Sequence, residues 1–265
     1  MKSVKRIFSV GIILSSVSLA LFGCGTGTST SENGETGETG EDKKYIIATD
    51  ATYAPMEYMD TDGNIVGTDI DIVNAIADEL GIEVEFKNYG WEPLFSAVKN
   101  EEVDFAVSSI TITDERKQTF DFSEPYYAAN QLILVPEDST VTKFDDLKDM
   151  RISVQINTTG HEVVKGLLGK TSSKIVAPES MPLAISEMIN GNADAAIGDN
   201  AVINEYVKNN PDVKLKTIED DTFEKEYYGL MVKKGNVELN ELLNEGIEKI
   251  KANGKLKEIT GFDVE

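Results

Sequence analysis

From residue 43 onward the chain alternates short β-branched runs with apolar stripes at helical spacing. Residues 45–48, 84–87 and 105–107 read as strands, and 69–80 and 93–99 as helices between them. The first helix carries the fullest signal. Ile70, Val73, Ile76, Ala77 and Leu80 share one face, Asp71 lies in the first turn, Thr68 is expected as N-cap and Gly81 as the stop. A second series follows, with strands at 132–135, 152–154, 175–177 and 195–197. Its helices lie at 159–168, stopped by Gly169, and at 183–189, ended near Gly191. A final helical stretch, 238–252, has to pack back onto one of the two series. Strand-then-helix alternation predicts an α/β fold, and two such series predict two lobes. Ligands of open α/β sheets sit at the carboxyl ends of strands, so the cleft between the lobes is the expected site.

The first residues follow a different pattern. Lys2, Lys5 and Arg6 precede an apolar or small-residue stretch, 7–22, that ends at Gly23 and Cys24. This is the layout of a cleaved export signal, expected over 1–23; no basic stop-transfer cluster follows it. Residues 25–42, GTGTSTSENGETGETGED, contain no large apolar side chain and read as a flexible tether, so 24–43 is expected to be linker.

Composition narrows the chemistry. Cys24 is the sole cysteine and His161 the sole histidine, which removes a disulfide framework and a Cys/His zinc cluster by counting. No run has EF-hand spacing, and neither metal nor cofactor is expected. The formal charge of −22, from 25 basic and 47 acidic residues, repels phosphate backbones, so nucleic acid is not an expected partner. A cationic or zwitterionic ligand is compatible with that field.

Several residues suit a small zwitterion. Arg116, in the turn 113–117, can pair bidentately with a carboxylate, although a solvated turn arginine is the plain alternative. Thr158, Thr159 and Gly160 open a helix whose amides favour an anion; simple N-capping by Thr158 competes with that reading. Asp199 follows the strand 195–197, as an ammonium acceptor or as a helix N-cap. Asp50 ends the first strand, Tyr53 follows it and Trp91 begins WEPLF. Two rings and a carboxylate form a slot for a cation, unless the rings are ordinary core aromatics.

The segment 108–127, SSITITDERKQTFDFSEPYY, resembles the signature of periplasmic and lipoprotein receptors for polar amino acids of ABC importers, and the likeness extends over 45–261. The family that the segment resembles is bacterial extracellular solute-binding protein family 3. The resemblance implies a type II periplasmic-binding-protein fold: two Rossmann-like lobes joined by a two-strand hinge. Lobe 1 would comprise 44–127 with 229–265 and lobe 2 would comprise 128–228, with hinge strands within 126–130 and 224–228. It further implies that Arg116, Thr158 and Thr159 hold the ligand carboxylate and Asp199 the ammonium. The Ser109 carbonyl and Thr111 hydroxyl would complete those contacts, with Ser108, Gln155, Asp50, Tyr53 and Trp91 lining the pocket. His161 is left outside the site.

The segments WEPLF, INTTGHE, DNAVINEYVKNNP and EYYG resemble the arginine, lysine and histidine receptors in particular. Glutamine readers of the family typically carry lysine at the position of Gln155 and histidine at that of Gly198. Gly198 is expected to leave room for a long side chain, so arginine is the first expectation, then lysine and histidine. Glutamine, or another polar amino acid, is the alternative. An enzyme like cyclohexadienyl dehydratase is a further one, disfavoured because no spare acid or base is evident. Leu21, Phe22, Gly23 and Cys24 resemble a lipobox, with Phe22 departing from the usual small residue. Cys24 would then be diacylated and the chain anchored by lipid at the outer face of the cytoplasmic membrane, as in Gram-positive bacteria. The implied partners are a free L-amino acid and the transmembrane subunits of an ABC permease, with the receptor itself a monomer.

Overall fold

A computed structural model describes residues 43–264; the expected export signal, Cys24 and the tether lie outside the described residues. The first half runs β1 (Lys44–Thr49), β2 (Thr52–Tyr53), β3 (Glu57–Met59), β4 (Ile65–Val66), α1 (Thr68–Leu80), β5 (Glu83–Asn88) and α2 (Trp91–Lys99). It continues through β6 (Phe105–Ala106), α3 (Asp114–Lys117) and β7 (Phe120–Phe122), then crosses on β8 (Tyr127–Ala129). The second half runs β9 (Gln131–Pro136), a 3-10 turn (Phe144–Asp149), β10 (Ile152–Val154), α4 (Thr159–Leu168), β11 (Ile175–Val176) and α5 (Met181–Ile189). β12 (Ala195–Asp199), α6 (Asn200–Asn209) and β13 (Leu215–Ile218) complete it. The chain returns on β14 (Glu226–Tyr228) to β15 (Met231–Lys233), α7 (Val237–Ala252) and α8 (Lys255–Thr260).

Each lobe is built on a five-stranded sheet, ordered β5-β1-β6-β15-β7 in the first and β11-β10-β12-β9-β13 in the second. The two orders are equivalent. Three parallel strands, linked by crossover helices, meet an antiparallel fourth strand that lies next to the crossing in sequence. β8 and β14 pair antiparallel, Tyr127 opposite Tyr228 and Ala129 opposite Glu226. Among the described residues no helix is long and apolar enough to cross a membrane.

Apolar side chains fill three regions. One lies beneath α2 around Leu94, Val98 and Ile110, and a second beneath α4 around Val164, Ile133 and Ile197. The third is continuous from Ile72 and Ile76 of α1, through Tyr126 and Tyr228 at the crossing, to Ile185 of α5. The core therefore runs through the connection between the lobes.

The first helix departs from expectation at its start. Thr68 is its first helical residue, and the capping position belongs to Gly67, at φ 132°, where a Cβ would stand 2.3 Å from the Met56 carbonyl oxygen. Only glycine permits that approach. The first-turn Asp69 is fully buried and turns its carboxylate to the loop at Ser109, so it does not act as a solvated dipole partner. α2 starts at Trp91, earlier than the pattern implied, because the first turn of a helix tolerates Pro93.

Where α7 crosses α1, Gly246 is buried and a Cβ there would lie 2.5 Å from Cγ2 of Ile76. Alanine at 246 gains about 1 kcal/mol of helix propensity. It also presses on a rigid, buried methyl, and overpacking costs about 1–3 kcal/mol. Gly246→Ala is expected to lower the urea midpoint; a raised midpoint would show that the α1–α7 contact yields easily.

Candidate functional site

The carboxyl ends of both sheets meet at a cleft with about 310 Å³ not filled by atoms. Asp50, Tyr53, Trp91, Ser108, Ser109, Thr111 and Arg116 line it from the first lobe, and Gln155, Thr158, Thr159 and Asp199 from the second. The structure thus gathers eleven of the positions singled out in the sequence, though not Gly198, and adds Glu57. Gln155 Nε2 donates to Asp50 Oδ2 at 3.2 Å and to the Glu179 carbonyl at 3.0 Å. Asn157 Nδ2 donates to Glu92, and Arg116 Nη2 to the Asn157 carbonyl at 3.3 Å. The bonds from Gln155 to Asp50, from Asn157 to Glu92 and from Arg116 to Asn157 close one lobe on the other.

The first-lobe wall rests on buried acids. The Asp50 amide donates to Ser108 Oγ at 3.0 Å, and that hydroxyl donates to Glu57 Oε1 at 2.8 Å. Asp69 Oδ2 accepts the Ser109 amide at 2.7 Å and the Tyr126 hydroxyl at 3.0 Å, holding Ser109 at φ 48°. A non-glycine residue in that region costs of order 1–3 kcal/mol, and the buried bond offsets it. Burial raises the carboxyl of Asp69 to about 6, while burial and the charge of Asp69 raise that of Glu57 well above the usual range. Burial also raises Asp50.

Arg116 is not the solvated turn residue of the plain reading. Its amide closes onto Thr113 Oγ1, which caps α3, and Nη1 donates to the Thr111 carbonyl at 2.8 Å. Its guanidinium carbon lies 5.4 Å from the ring centroid of Trp91 and 5.5 Å from that of Phe95, within cation–π range. Trp91 therefore serves a protein cation while lining the cleft.

The second lobe resolves two alternatives. Asp199 stands at the start of α6 but caps nothing with its side chain. Instead the carboxylate accepts Gln131 Nε2 at 2.6 Å and the Tyr228 hydroxyl. Burial and the nearby charge of Glu226 hold it at about 6, against the pull of Tyr228, Tyr53 and Gln131. Thr158 is the N-cap: its hydroxyl accepts the His161 amide at 3.1 Å and donates to the Gln155 carbonyl at 2.8 Å. The Thr159 hydroxyl donates to Glu226 Oε2 at 2.6 Å. His161 is buried, its Nδ1 accepting the Asn157 amide at 2.9 Å, and burial lowers its pKa. The imidazole buttresses the turn.

One expectation is corrected. A Cβ on Gly198 would lie 2.6 Å from the sulfur of buried Met181, and neither residue lines the cavity. The missing side chain makes room for Met181, not for a ligand. Glu57, Gln131, Glu226 and Tyr228 escaped the sequence reading. Glu57 and Glu226 sit in short strands whose acidic residues look solvated in one dimension.

Two α/β lobes closed over a slot lined by buried acids, a guanidinium and two rings define a two-lobed small-molecule binding protein. The family model for bacterial extracellular solute-binding proteins, family 3, matches residues 45–261. A probable histidine-binding protein of Neisseria gonorrhoeae is 40% identical over 218 residues, covering 82% of this chain and 81% of its own. The arginine-binding extracellular protein ArtP of Bacillus subtilis is 32% identical, covering 94% of both chains. The crystal structure of the arginine-, lysine-, histidine-binding protein ArtJ from Geobacillus stearothermophilus superposes with a TM-score of 0.79 at 48% identity, covering 82% of this chain and 93% of that one. The chain belongs to the bacterial extracellular solute-binding proteins, family 3, an extracytoplasmic family of the type II periplasmic-binding-protein fold.

The environment of Asp199 gives a direct test. Removing the Tyr228 hydroxyl takes away a donor that stabilises the ionised carboxylate. In Tyr228→Phe the Asp199 carboxyl is expected to titrate above its value of about 6, followed by carbon-detected NMR. An unchanged or lower value would mean that this bond does not reach the carboxylate in solution.

Proposed function

We propose that this chain captures a free L-amino acid with a cationic side chain, arginine before lysine or histidine, and delivers it to the transmembrane subunits of an ABC permease. The observation that carries the reading is the presence of the acids Asp50 and Glu57 in one cavity with Tyr53 and Trp91, the Ser108 hydroxyl tying the Asp50 backbone amide to the Glu57 carboxylate. Buried carboxyls with raised pKa values are costly groups that a guanidinium or ammonium stabilises. Arg116 and the amides at the start of α4 suit the ligand carboxylate, and Asp199 suits the α-ammonium. The similarity to histidine-, arginine- and lysine-binding proteins favours the same class of ligand.

With Gly198 filled by Met181, the preference for a cation rests on the acids and rings alone. Glutamine is the alternative, since Gln155 both donates and accepts. Glu57 supplies a raised acid of the kind a dehydratase needs. Its hydrogen bond from Ser108 and the charge of Asp69 beside it support a structural and recognition role over catalysis. In this reading the chain is a monomer, cleaved before Cys24, diacylated there and held at the outer face of the cytoplasmic membrane.

Calorimetry with the twenty amino acids is expected to give submicromolar arginine binding, abolished by Asp199→Ala. Tight glutamine binding without a response to arginine would overturn the cationic reading, and turnover of prephenate or arogenate would establish an enzyme.

Protonation gives a second test. The Asp199 carboxyl is held at about 6, so near and below that pH the free protein holds a proton that a bound ammonium displaces. Binding is expected to release protons, read from the buffer dependence of the heat. Affinity should rise between pH 5 and pH 7 by roughly tenfold for each carboxyl that titrates near 6. Proton uptake, or affinity falling over that interval, would contradict the sign.

A further inference from the structure

Glu226 lies on β14, outside the set of residues that line the cleft; it is half-buried and lines a neighbouring opening together with Thr111, Gln131 and Thr159. Oε2 accepts the Thr111 hydroxyl of the first lobe at 2.7 Å and the Thr159 hydroxyl of the second at 2.6 Å. Oε1 accepts Gln131 Nε2 at 3.0 Å, and the same nitrogen lies 2.6 Å from Asp199 Oδ1. One carboxylate oxygen thus gathers a hydroxyl from each lobe, and Gln131 couples that carboxylate to Asp199.

A hydroxyl has one proton and two lone pairs, whereas a carboxylate accepts only. With its proton committed to Glu226, Thr111 offers lone pairs alone to the cavity. Thr159 is fixed the same way, which leaves a ligand carboxylate to Arg116 and to backbone amides. Gln131 is spent as well, its amide nitrogen turned to the two acids. Neutral hydroxyls on this wall could rotate and compete as donors; these cannot.

We infer that Glu226 sets the hydrogen-bond polarity of this wall and, by holding the Thr111 proton away from the cavity, acts as a positioning residue for the α-ammonium group of the ligand. This deepens the amino-acid reading and rests on it, but not on the ligand's side chain, since every free amino acid carries the same ammonium. The role belongs to the side chain: the backbone of Glu226 pairs with Ala129 whatever the carboxylate does.

The test is a double-mutant cycle on the full chain with arginine as the probe, read by calorimetry. Glu226→Gln keeps the shape but removes the charge and replaces one acceptor oxygen by a donor: turned one way the new NH2 meets the Thr111 and Thr159 hydroxyls, and turned the other way it meets Gln131 Nε2, so in either orientation the wall loses an acceptor. The substitution is expected to weaken arginine about tenfold or more, the scale of a lost charged hydrogen bond. Thr111→Val removes the hydroxyl itself, and adding Glu226→Gln to it should cost no further factor beyond about two. Binding of 5-guanidinopentanoate, arginine without its ammonium, is measured by competition and should change by less than about twofold in Glu226→Gln.

The inference is overturned by Glu226→Gln binding arginine as the wild type does, by losses that multiply in the double variant, or by equal losses for arginine and the ammonium-free analogue. Thermal melts verify folding. Should Glu226→Gln not fold, Glu226→Asp, which keeps the charge but is one methylene too short to reach both hydroxyls, enters the cycle with the same expected outcome. A wild type that binds glutamine and ignores arginine would sink the cationic reading alone. The cycle is then run with glutamine, and its outcome decides the role of Glu226 independently.

Discussion

Tyr127–Ala129 and Glu226–Tyr228 pair antiparallel, and each sheet takes its single reversed inner strand from the segment beside that pair. The crossing constrains much of the rest. Because β9 begins immediately after β8, Gln131 is placed at the mouth of the second sheet, beside Asp199. Because β14 leads into β15, Glu226 and Tyr228 arrive there as well. Tyr126 and Tyr228 are completely buried and merge the cores of the two lobes. The lobes are thus hinged on a packed aromatic seam, with ring centroids 6.2 Å apart, and not on a loose linker.

The second constraint is the density of buried acid. Glu57, Asp69 and Asp199 are buried carboxyls with raised pKa values, and Asp50 stands among them. Burial of that kind is expensive unless hydrogen bonds compensate. The hydroxyls of Ser108, Tyr126 and Tyr228 and the amide of Gln131 supply them. The result is a wall of acceptors already held in place, which lowers the ordering cost of binding a cationic or zwitterionic guest. Arg116 is the lone guanidinium among the lining residues, and its placement over Trp91 and against the Thr111 carbonyl orients it without a carboxylate from the protein.

Most elements of the fold were legible along the chain. Helical apolar spacing and β-branched runs report burial directly, and α4 has the bounds that its pattern and Gly169 imply. Errors fell where tertiary contact overrides local preference. Thr68 has the chemistry of a cap, yet the Met56 carbonyl demands glycine at 67. Gly198 reads as empty space, yet Met181, seventeen positions earlier in α5, occupies it.

By itself the sequence determined the α/β alternation and, through the segment 108–127, the family and the lining positions Ser108, Ser109, Thr111 and Arg116. Those properties are carried by local periodicity or by contiguous residues. The tertiary structure decided what each polar group does: that Thr158 caps, that Asp199 does not, that His161 serves the backbone, and that Glu57, Asp69 and Glu226 support the wall. Hydrogen-bond partners such as Thr111 and Glu226, or Gln155 and Asp50, lie more than a hundred residues apart. Only folding brings their charges and lone pairs into one low-dielectric space, where each sets the protonation and orientation of the next.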